Sequence, residues 1–190
     1  MPEDLKGLRV AVLLTDGVEE PEFVKPKEAL ANAGAEITVI SPKGGDIQAF
    51  QHHDKSKKYK ADKSLDQVNA NDFDALLLPG GALNADALRV ETKAQEFARA
   101  IDSAGKPIAV ICHGPWLLVS SGLVRGRKMT SYHTIQDDIK NAGGDWQDSE
   151  VVRDRNWVSS RKPDDIPAFN REMLRLFSEA RGGNRKQKIA

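Results

Sequence analysis

Cysteine is almost absent from this 190-residue sequence. Its only cysteine is Cys112, which excludes an internal disulfide and any zinc or iron–sulfur site built from several thiolates. The histidines also lack the HExxH spacing of a common zinc motif. The four histidines are His52, His53, His113 and His133. We therefore predict no metal, and the single thiol is either an inert buried side chain or the centre of the chemistry.

Long apolar runs and an excess of one charge are absent as well. The longest apolar runs, such as 10–14 and 108–112, are far shorter than the roughly 18 residues of a membrane span. Lys and Arg number 28, as do Asp and Glu, so no net charge attracts nucleic acid or an acidic membrane. Segment 1–7 has acids where a signal peptide has cations. We predict a cytoplasmic protein without a membrane or nucleic-acid partner.

Nucleotide-binding motifs are missing too. Neither GxGxxG nor GxxxxGK[ST] occurs in the chain. The first predicted β–α turn, 16–22, carries four carboxylates where a pyrophosphate would have to lie. These observations argue against a dinucleotide or phosphate-loop site, and we predict no cofactor.

The sequence does contain alternating strand-like and helix-like apolar patterns. Strands are predicted at 9–14, 36–41, 74–78 and 107–112, a hairpin at 151–158, and helices at 22–33, 92–104, 113–119 and from 164 onward. Thr92 to Gln95 has the pattern of a capping box, and the cationic stretch 52–60 fits either a hairpin or a loop. Repeated β–α units predict one α/β domain over 1–180, with a mostly parallel sheet between helical layers. The basic segment 181–190 is predicted to be a frayed tail.

Cys112 lies at the most informative junction of the chain. In open α/β sheets ligands bind beyond the carboxyl ends of the strands, which directs attention to loops 15–22, 79–86 and 112–115. Cys112 ends a buried strand and precedes Gly114, as in a nucleophile elbow. The N–H groups that open the next helix favour a thiolate, so we expect a lowered thiol pKa. The alternative is a small buried hydrophobic side chain.

Neighbouring residues offer supporting chemistry. The side chain of His113 could orient or deprotonate the thiol, and its backbone N–H could donate to an oxyanion. Gly80 and Gly81 could supply another backbone donor, or simply end a strand. An acid from segment 19–22 beside a thiolate would have to be buried and protonated. The alternative for each of these acids is a solvated loop position.

Several motifs together resemble the ThiJ/PfpI family, over roughly residues 8–180. They are Glu19-Glu-Pro-Glu22, Leu78-Pro-Gly-Gly81, Gly105-Lys-Pro107, Ala109-Val-Ile-Cys-His-Gly-Pro115, Gly126-Arg-Lys, Thr130-Ser-Tyr132 and Trp157-Val-Ser-Ser-Arg161. The run Cys-His-Gly-Pro is similar to the PfpI branch, which includes proteases and general stress proteins and is related to a deglycase. The resemblance implies a flavodoxin-like three-layer sandwich.

The resemblance also implies a site. Its parts would be a nucleophilic Cys112, a protonated Glu22 beside it and an oxyanion hole from the backbones of Gly81 and His113. In PfpI-type members an acid from a partner subunit completes a Cys-His-acid arrangement, and the nearest match here is Asp86. A homodimer or a higher homo-oligomer is therefore expected.

Two functions remain open at this stage. The first is a stress-response cysteine hydrolase that acts on glyoxal-modified groups, small aldehydes or peptides. The second is a redox sensor or chaperone-like stress protein that uses oxidation of Cys112. A glutaminase is excluded, because related amidotransferases take their catalytic histidine from a late His-x-Glu and no histidine follows His133.

Overall fold

A seven-stranded sheet organises the protein, and the computed structural model describes residues 3–187, with side chains over 3–181. The strands are β1 (Arg9–Leu13), β2 (Val18–Glu19), β3 (Glu36–Ser41), β4 (Asp46–Gln51), β5 (Asp54–Lys60), β6 (Lys63–Ser64), β7 (Ala75–Leu78), β8 (Ile108–Ile111), β9 (Lys128–Met129), β10 (Asp145–Trp146), β11 (Val151–Asp154) and β12 (Trp157–Ser160). The central sheet has the order β11-β12-β8-β7-β1-β3-β6. Only β11 runs antiparallel to its neighbour. The predicted mostly parallel sheet is confirmed.

Helices cover both faces of this sheet. They are α1 (Glu20–Asn32), α2 (Ala82–Arg89), α3 (Thr92–Ser103), α4 (Pro115–Ser120), α5 (Gln136–Asn141) and α6 (Ile166–Gln187). Buried residues of α1 and α6 belong to one apolar cluster, and those of α3, α4 and α5 belong to the other. The architecture is the predicted three-layer sandwich. None of the helices within 3–187 is long and apolar enough to cross a membrane.

Strand β1 shows why the sheet is buried on both sides. Val10 and Val12 belong to the cluster of α1 and α6, while Ala11 and Leu13 belong to the cluster on the opposite face. All four are fully buried, as the period of two in a strand requires when both faces are covered. Burying one such valine or leucine contributes about 1.5–3 kcal/mol. The apolar run at 9–14 therefore fixes the centre of the fold.

The cationic stretch 52–60 adopts the hairpin alternative. Strands β4 and β5 pair antiparallel, and β2 pairs parallel with β4, so the hairpin lies beside the carboxyl end of β1. Buried Glu20 accepts hydrogen bonds from Gln51, Ser56 and Tyr59. This carboxylate therefore ties the hairpin to the first turn of α1.

The predicted capping box at Thr92 is wrong. Thr92 is already helical, and Glu91 is the N-cap with extended backbone angles and no side-chain cap. The side chain of Gln95 donates instead to the carbonyl oxygen of Arg89 at 2.7 Å. The side chain of Gln95 is therefore directed to the end of α2 and not to the backbone N–H of an N-cap, where a capping box would place its oxygen as acceptor.

The C-terminal helix extends further than expected. Helix α6 continues to Gln187, so the backbone over 181–187 is helical rather than frayed. The Arg181 guanidinium contacts the carbonyl and the carboxylate oxygens of Asp4 at 2.5 and 2.9 Å, which holds this turn against the N-terminal segment. Residues 188–190 lie outside the described residues. The division of the chain at 180 stays a prediction.

Candidate active site

Cys112 follows β8 with a backbone φ of 62°, a region that non-glycine residues seldom adopt. Two hydrogen bonds hold this conformation. The N–H of Cys112 donates to the Ser160 carbonyl oxygen at 3.0 Å, and its carbonyl oxygen accepts from the N–H of Tyr132 at 2.9 Å. Helix α4 then begins at Pro115. This is the backbone geometry of a nucleophile elbow.

Cys112 as a residue is only 6% exposed. Burial raises its pKa well above the ordinary value, and the carboxyl group of Glu22 raises it further. The backbone N–H groups of Gly81 and His113 face the sulfur and lower the pKa. This direction is opposite to the sequence expectation, because α4 has only six residues and desolvation outweighs the N–H groups.

Glu22 lies beside this thiol and is fully buried. Burial raises its pKa to about 8, the charge of Glu19 adds to the rise, and the Cys112 thiol and the Gly80 N–H lower it. Neither carboxyl oxygen completes a well-formed hydrogen bond with the described residues. At neutral pH the carboxyl is therefore protonated. The carboxylate charge that raises the Cys112 pKa is then absent, and a donor is available to the sulfur.

The buried acid gives stability a pH dependence. Between its ordinary pKa of 4.5 and the folded value of about 8, Glu22 holds more protons in the folded state, so the free energy of unfolding falls as pH rises. We expect the free energy of unfolding of Glu22→Gln to fall by several kcal/mol less over this pH range than that of the wild type, because glutamine cannot ionise. Urea unfolding at a series of pH values measures it, with Glu28→Gln on the exposed side of α1 as control. Parallel stability curves for wild type and Glu22→Gln would contradict the buried, protonated state.

Gly80 and Gly81 bring the loop after β7 against the elbow. A Cβ at Gly80 would lie 2.5 Å from the Cβ of Cys112 and would overlap the Glu22 carboxyl. Gly81 has a φ of 95°, and a Cβ there would overlap the carbonyl oxygen of Gly17. The N–H of Gly80 faces Glu22 rather than the sulfur. Of the two predicted glycine donors, Gly81 is the one that faces the thiol.

The side chain of His113 turns back towards the thiol. Its Nδ1 is 3.1 Å from the Cys112 Sγ, and its Nε2 is 3.3 Å from the Thr134 Oγ1. The ring stacks on Tyr132 with centroids 4.8 Å apart. Burial lowers the pKa of His113, and the charge of His133 lowers it further. A neutral imidazole therefore lies within reach of the sulfur.

A cleft of about 820 Å³ opens over the thiol. The hairpin of β4 and β5 forms one wall, with Lys57 and Tyr59 in the lining, and Lys162 lies in the lining contributed by the loop before α6. Neither this wall nor Thr134 is foreseen from the sequence. The two-residue pairing of β2 with β4 and the hydrogen bonds to Glu20 place the hairpin here. So short a strand leaves no periodic signal in the sequence.

The remaining predicted site residue lies elsewhere. Asp86 is exposed on α2 and is absent from the lining of the cleft within one chain. The three predicted loops do meet, because the cleft contains residues from 19–22, 81–82 and 112–113. Over the described side chains, no group of three or more His, Cys, Asp or Glu residues could hold a metal ion.

The protein is an α/β sandwich, and its cysteine lies on a strand-to-helix elbow. These two features together define the class of α/β proteins that carry a nucleophile on such a turn. The model of the DJ-1/PfpI family matches residues 8–176, and the chain belongs to that family. The predicted ThiJ/PfpI resemblance is thereby confirmed.

Three similar proteins illustrate the relationship. "Protein/nucleic acid deglycase 2" of Escherichia coli is 46% identical over 174 residues, covering 89% of this chain and 97% of the relative. "General stress protein 18" of Bacillus subtilis is 42% identical, with 91% and 99% covered. A solved two-domain protein with DJ-1/ThiJ/PfpI-like and ferritin-like domains from Anabaena variabilis is 32% identical, with a TM-score of 0.82. The match covers 88% of this chain and 47% of that protein.

Proposed function

We propose that the protein is a stress-response cysteine hydrolase that removes glyoxal adducts from amino groups or thiols, or converts small aldehydes. The observation that carries this proposal is the elbow thiol of Cys112 between the N–H groups of Gly81 and His113, at the base of an open cleft. The names of the E. coli deglycase and the B. subtilis general stress protein support it. These names support a hydrolase-like activity and a role in the stress response, but they do not point to one substrate.

The proposed chemistry begins at the carbonyl carbon of the adduct. The neutral His113 imidazole, 3.1 Å from the sulfur, accepts the thiol proton as the sulfur forms a C–S bond. The carbonyl π electrons move to oxygen, which is stabilised by the N–H groups of Gly81 and His113. Protonated Glu22, beside the sulfur, stabilises the negative charge that develops there as the proton leaves. The attacked carbon carries the amine nitrogen or thiol sulfur of the substrate, so when the oxyanion re-forms the carbonyl group this bond breaks, and the His113 imidazolium gives its proton to the leaving amine or thiol. Water then attacks the resulting thioester, the C–S bond to Cys112 breaks, and a carboxylic acid and the Cys112 thiol are released.

Small adducts fit this site better than folded polypeptides do. Cys112 is only 6% exposed, and the hairpin forms one wall of the cleft. We expect a panel of methylglyoxal-modified N-acetyl-lysine, methylglyoxal-modified glutathione and fluorogenic peptides to show turnover of the modified small molecules, with peptides slower. Faster peptide cleavage would indicate a peptidase, and no turnover of any member would contradict a hydrolase.

The redox-sensor alternative would use the same thiol in a different way. Oxidation requires a thiolate, and the raised pKa of Cys112 keeps the resting thiol protonated, whereas in the proposed hydrolase His113 accepts this proton as the sulfur attacks the bound substrate. Mass spectrometry after mild peroxide treatment separates the two functions. Rapid stoichiometric oxidation of Cys112, together with no turnover in the substrate panel, would favour the sensor.

We also propose that Asp86 acts on the site of a partner subunit in a homodimer or a larger homo-oligomer. Asp86 is exposed on α2. Leu83 and Val90, three residues before and four residues after it, are 61% and 74% exposed, so helical spacing places all three on one face. Burial of Leu83 and Val90 against a partner would remove exposed apolar surface from water. In such a dimer Asp86 would approach Nε2 of the partner's His113, the ring nitrogen that faces Thr134.

Mixing two inactive variants tests this assignment. We expect Asp86→Asn and Cys112→Ser each to be inactive or strongly impaired alone. An equimolar mixture should regain about a quarter of wild-type activity, because random pairing makes about half of the dimers mixed and one of the two sites in each mixed dimer then has both intact residues. Sedimentation checks that the subunits associate. An active monomer, or mixed dimers without recovery, would contradict a role in trans.

A cytoplasmic location remains part of the proposal. It is supported by the single unpaired thiol, which a reducing compartment keeps free. We propose a small-molecule or modified-protein substrate, and the balanced net charge offers no general attraction to membrane or nucleic acid.

A further inference from the structure

Asn84 is a buried amide that the proposed mechanism does not use. It lies on α2 and is 1% exposed. Its Oδ1 accepts from the N–H of Thr15 at 2.7 Å, and its Nδ2 donates to the carbonyl oxygens of Gly80 at 3.0 Å and Pro79 at 3.3 Å. The partners fix the orientation of the amide, since one N–H faces its oxygen and two carbonyls face its nitrogen.

These three contacts join the exits of two adjacent parallel strands. Thr15 follows β1, whereas Pro79 and Gly80 follow β7. The Gly80 carbonyl oxygen also accepts from the N–H of Glu19 at 3.2 Å. The amide therefore holds the turn after β7 against the loop that leads to Glu22.

We propose that Asn84 is a positioning residue that holds the Pro79–Gly81 turn so that the N–H of Gly81 faces the sulfur of Cys112. Asn84 touches neither the sulfur nor the cleft, and it acts through the backbone of the turn. Its removal leaves two carbonyls and one N–H without their side-chain partner in a buried region, where unsatisfied polar groups are costly. The turn is then expected to rotate towards other donors, which moves the Gly81 N–H away from the sulfur.

A purely structural role would give a different result. If Asn84 only secured α2, its loss would lower stability and leave the properties of the thiol unchanged in the folded protein. The pKa of Cys112 separates the two roles, because the Gly81 N–H lowers that pKa. The expected effect on turnover rests on the proposed function, whereas the expected effect on the thiol does not.

Two variants and one control make the test. Asn84→Leu removes every polar contact at similar size, and Asn84→Asp keeps the acceptor for Thr15 but loses both donors. Ser121→Ala is the control, because Ser121 is also buried and donates to the Leu117 carbonyl at 2.6 Å on α4. The readouts are the melting temperature, the pH dependence of iodoacetamide alkylation, and kcat and KM for a methylglyoxal-modified substrate.

We expect both Asn84 variants to raise the pKa of Cys112 by about 0.5–1 unit. The reason is that the charge-assisted hydrogen bond from the Gly81 N–H to the thiolate is partly lost. We expect kcat to fall about 10- to 100-fold, less than or comparable to the loss of a whole oxyanion donor, with little change in KM. Ser121→Ala should lower the melting temperature without changing the thiol pKa.

A folded Asn84→Asp protein with wild-type thiol pKa and kcat would overturn the proposal. If Asn84→Leu does not fold, Asn84→Asp decides the question, since it differs from the native side chain by one terminal group. If the wild type turns over no modified substrate, the proposed function fails. The alkylation profiles still decide whether Asn84 positions the turn.

Discussion

Cys112→Ser is expected to abolish turnover while the protein remains folded. Serine replaces only the sulfur atom, and because its hydroxyl is a far weaker acid than a thiol, the neighbouring neutral imidazole activates it much less. By analogy with the loss of other enzyme nucleophiles, kcat should fall by about three orders of magnitude or more. Initial rates with methylglyoxal-modified substrates measure this effect, and circular dichroism with thermal unfolding measures the fold.

Cys112→Ala is the companion variant. It removes the polar atom entirely, so equal loss of activity in both variants would show that the sulfur itself is required. Turnover by folded Cys112→Ser at more than about a tenth of the wild-type rate would contradict the nucleophile assignment.

Gly80→Ala is expected to give the second large effect. Its Cβ would lie 2.5 Å from the Cβ of Cys112 and would overlap the Glu22 carboxyl, so one of these groups has to move. Overpacking of this kind costs about 1–3 kcal/mol of stability. Activity should fall about 100-fold or more, because an error of about 1 Å in the position of reacting groups costs about that much.

Gly45→Ala is the matched control for this steric effect. Gly45 has a φ of 79°, and a Cβ at this position would meet no heavy atom within 4 Å. Alanine there costs about 1–2 kcal/mol of backbone strain without touching the cleft. Urea unfolding and initial rates compare the two variants. A Gly80→Ala protein with wild-type activity would show that the close contact between Gly80, Glu22 and Cys112 is not required.

The sheet is predictable because its strands are short apolar runs that end in glycine or proline. The run at 74–78 followed by Pro79 predicts β7, and alternation at 36–41 predicts β3. Helix α2 is not predicted, because its buried Asn84 interrupts the apolar pattern with a polar residue. One of the three hydrogen bonds that satisfy this buried amide comes from Thr15, which is distant in the sequence.

The site is predictable in position but not in electrostatics. Parallel strands bring their carboxyl ends to one edge, so the meeting of Glu22, Gly81 and Cys112 follows from the strand order. The direction of the thiol pKa does not follow, because it depends on burial of Cys112. How deeply Cys112 is buried depends on the packing of the whole chain, so no local sequence motif predicts it.

Covalent bonding between Cys112 and the substrate during turnover is the central feature of the proposed mechanism. Peptide mass spectrometry of single-turnover reactions, with enzyme in excess over a methylglyoxal-modified amine and quenched in acid at successive times, tests this directly. We predict a transient adduct on the peptide that contains Cys112, formed before product release and decaying at the rate of that release. Product release with Cys112 unmodified at every time, or with the transient adduct on Lys25 or Lys57 instead, would contradict it.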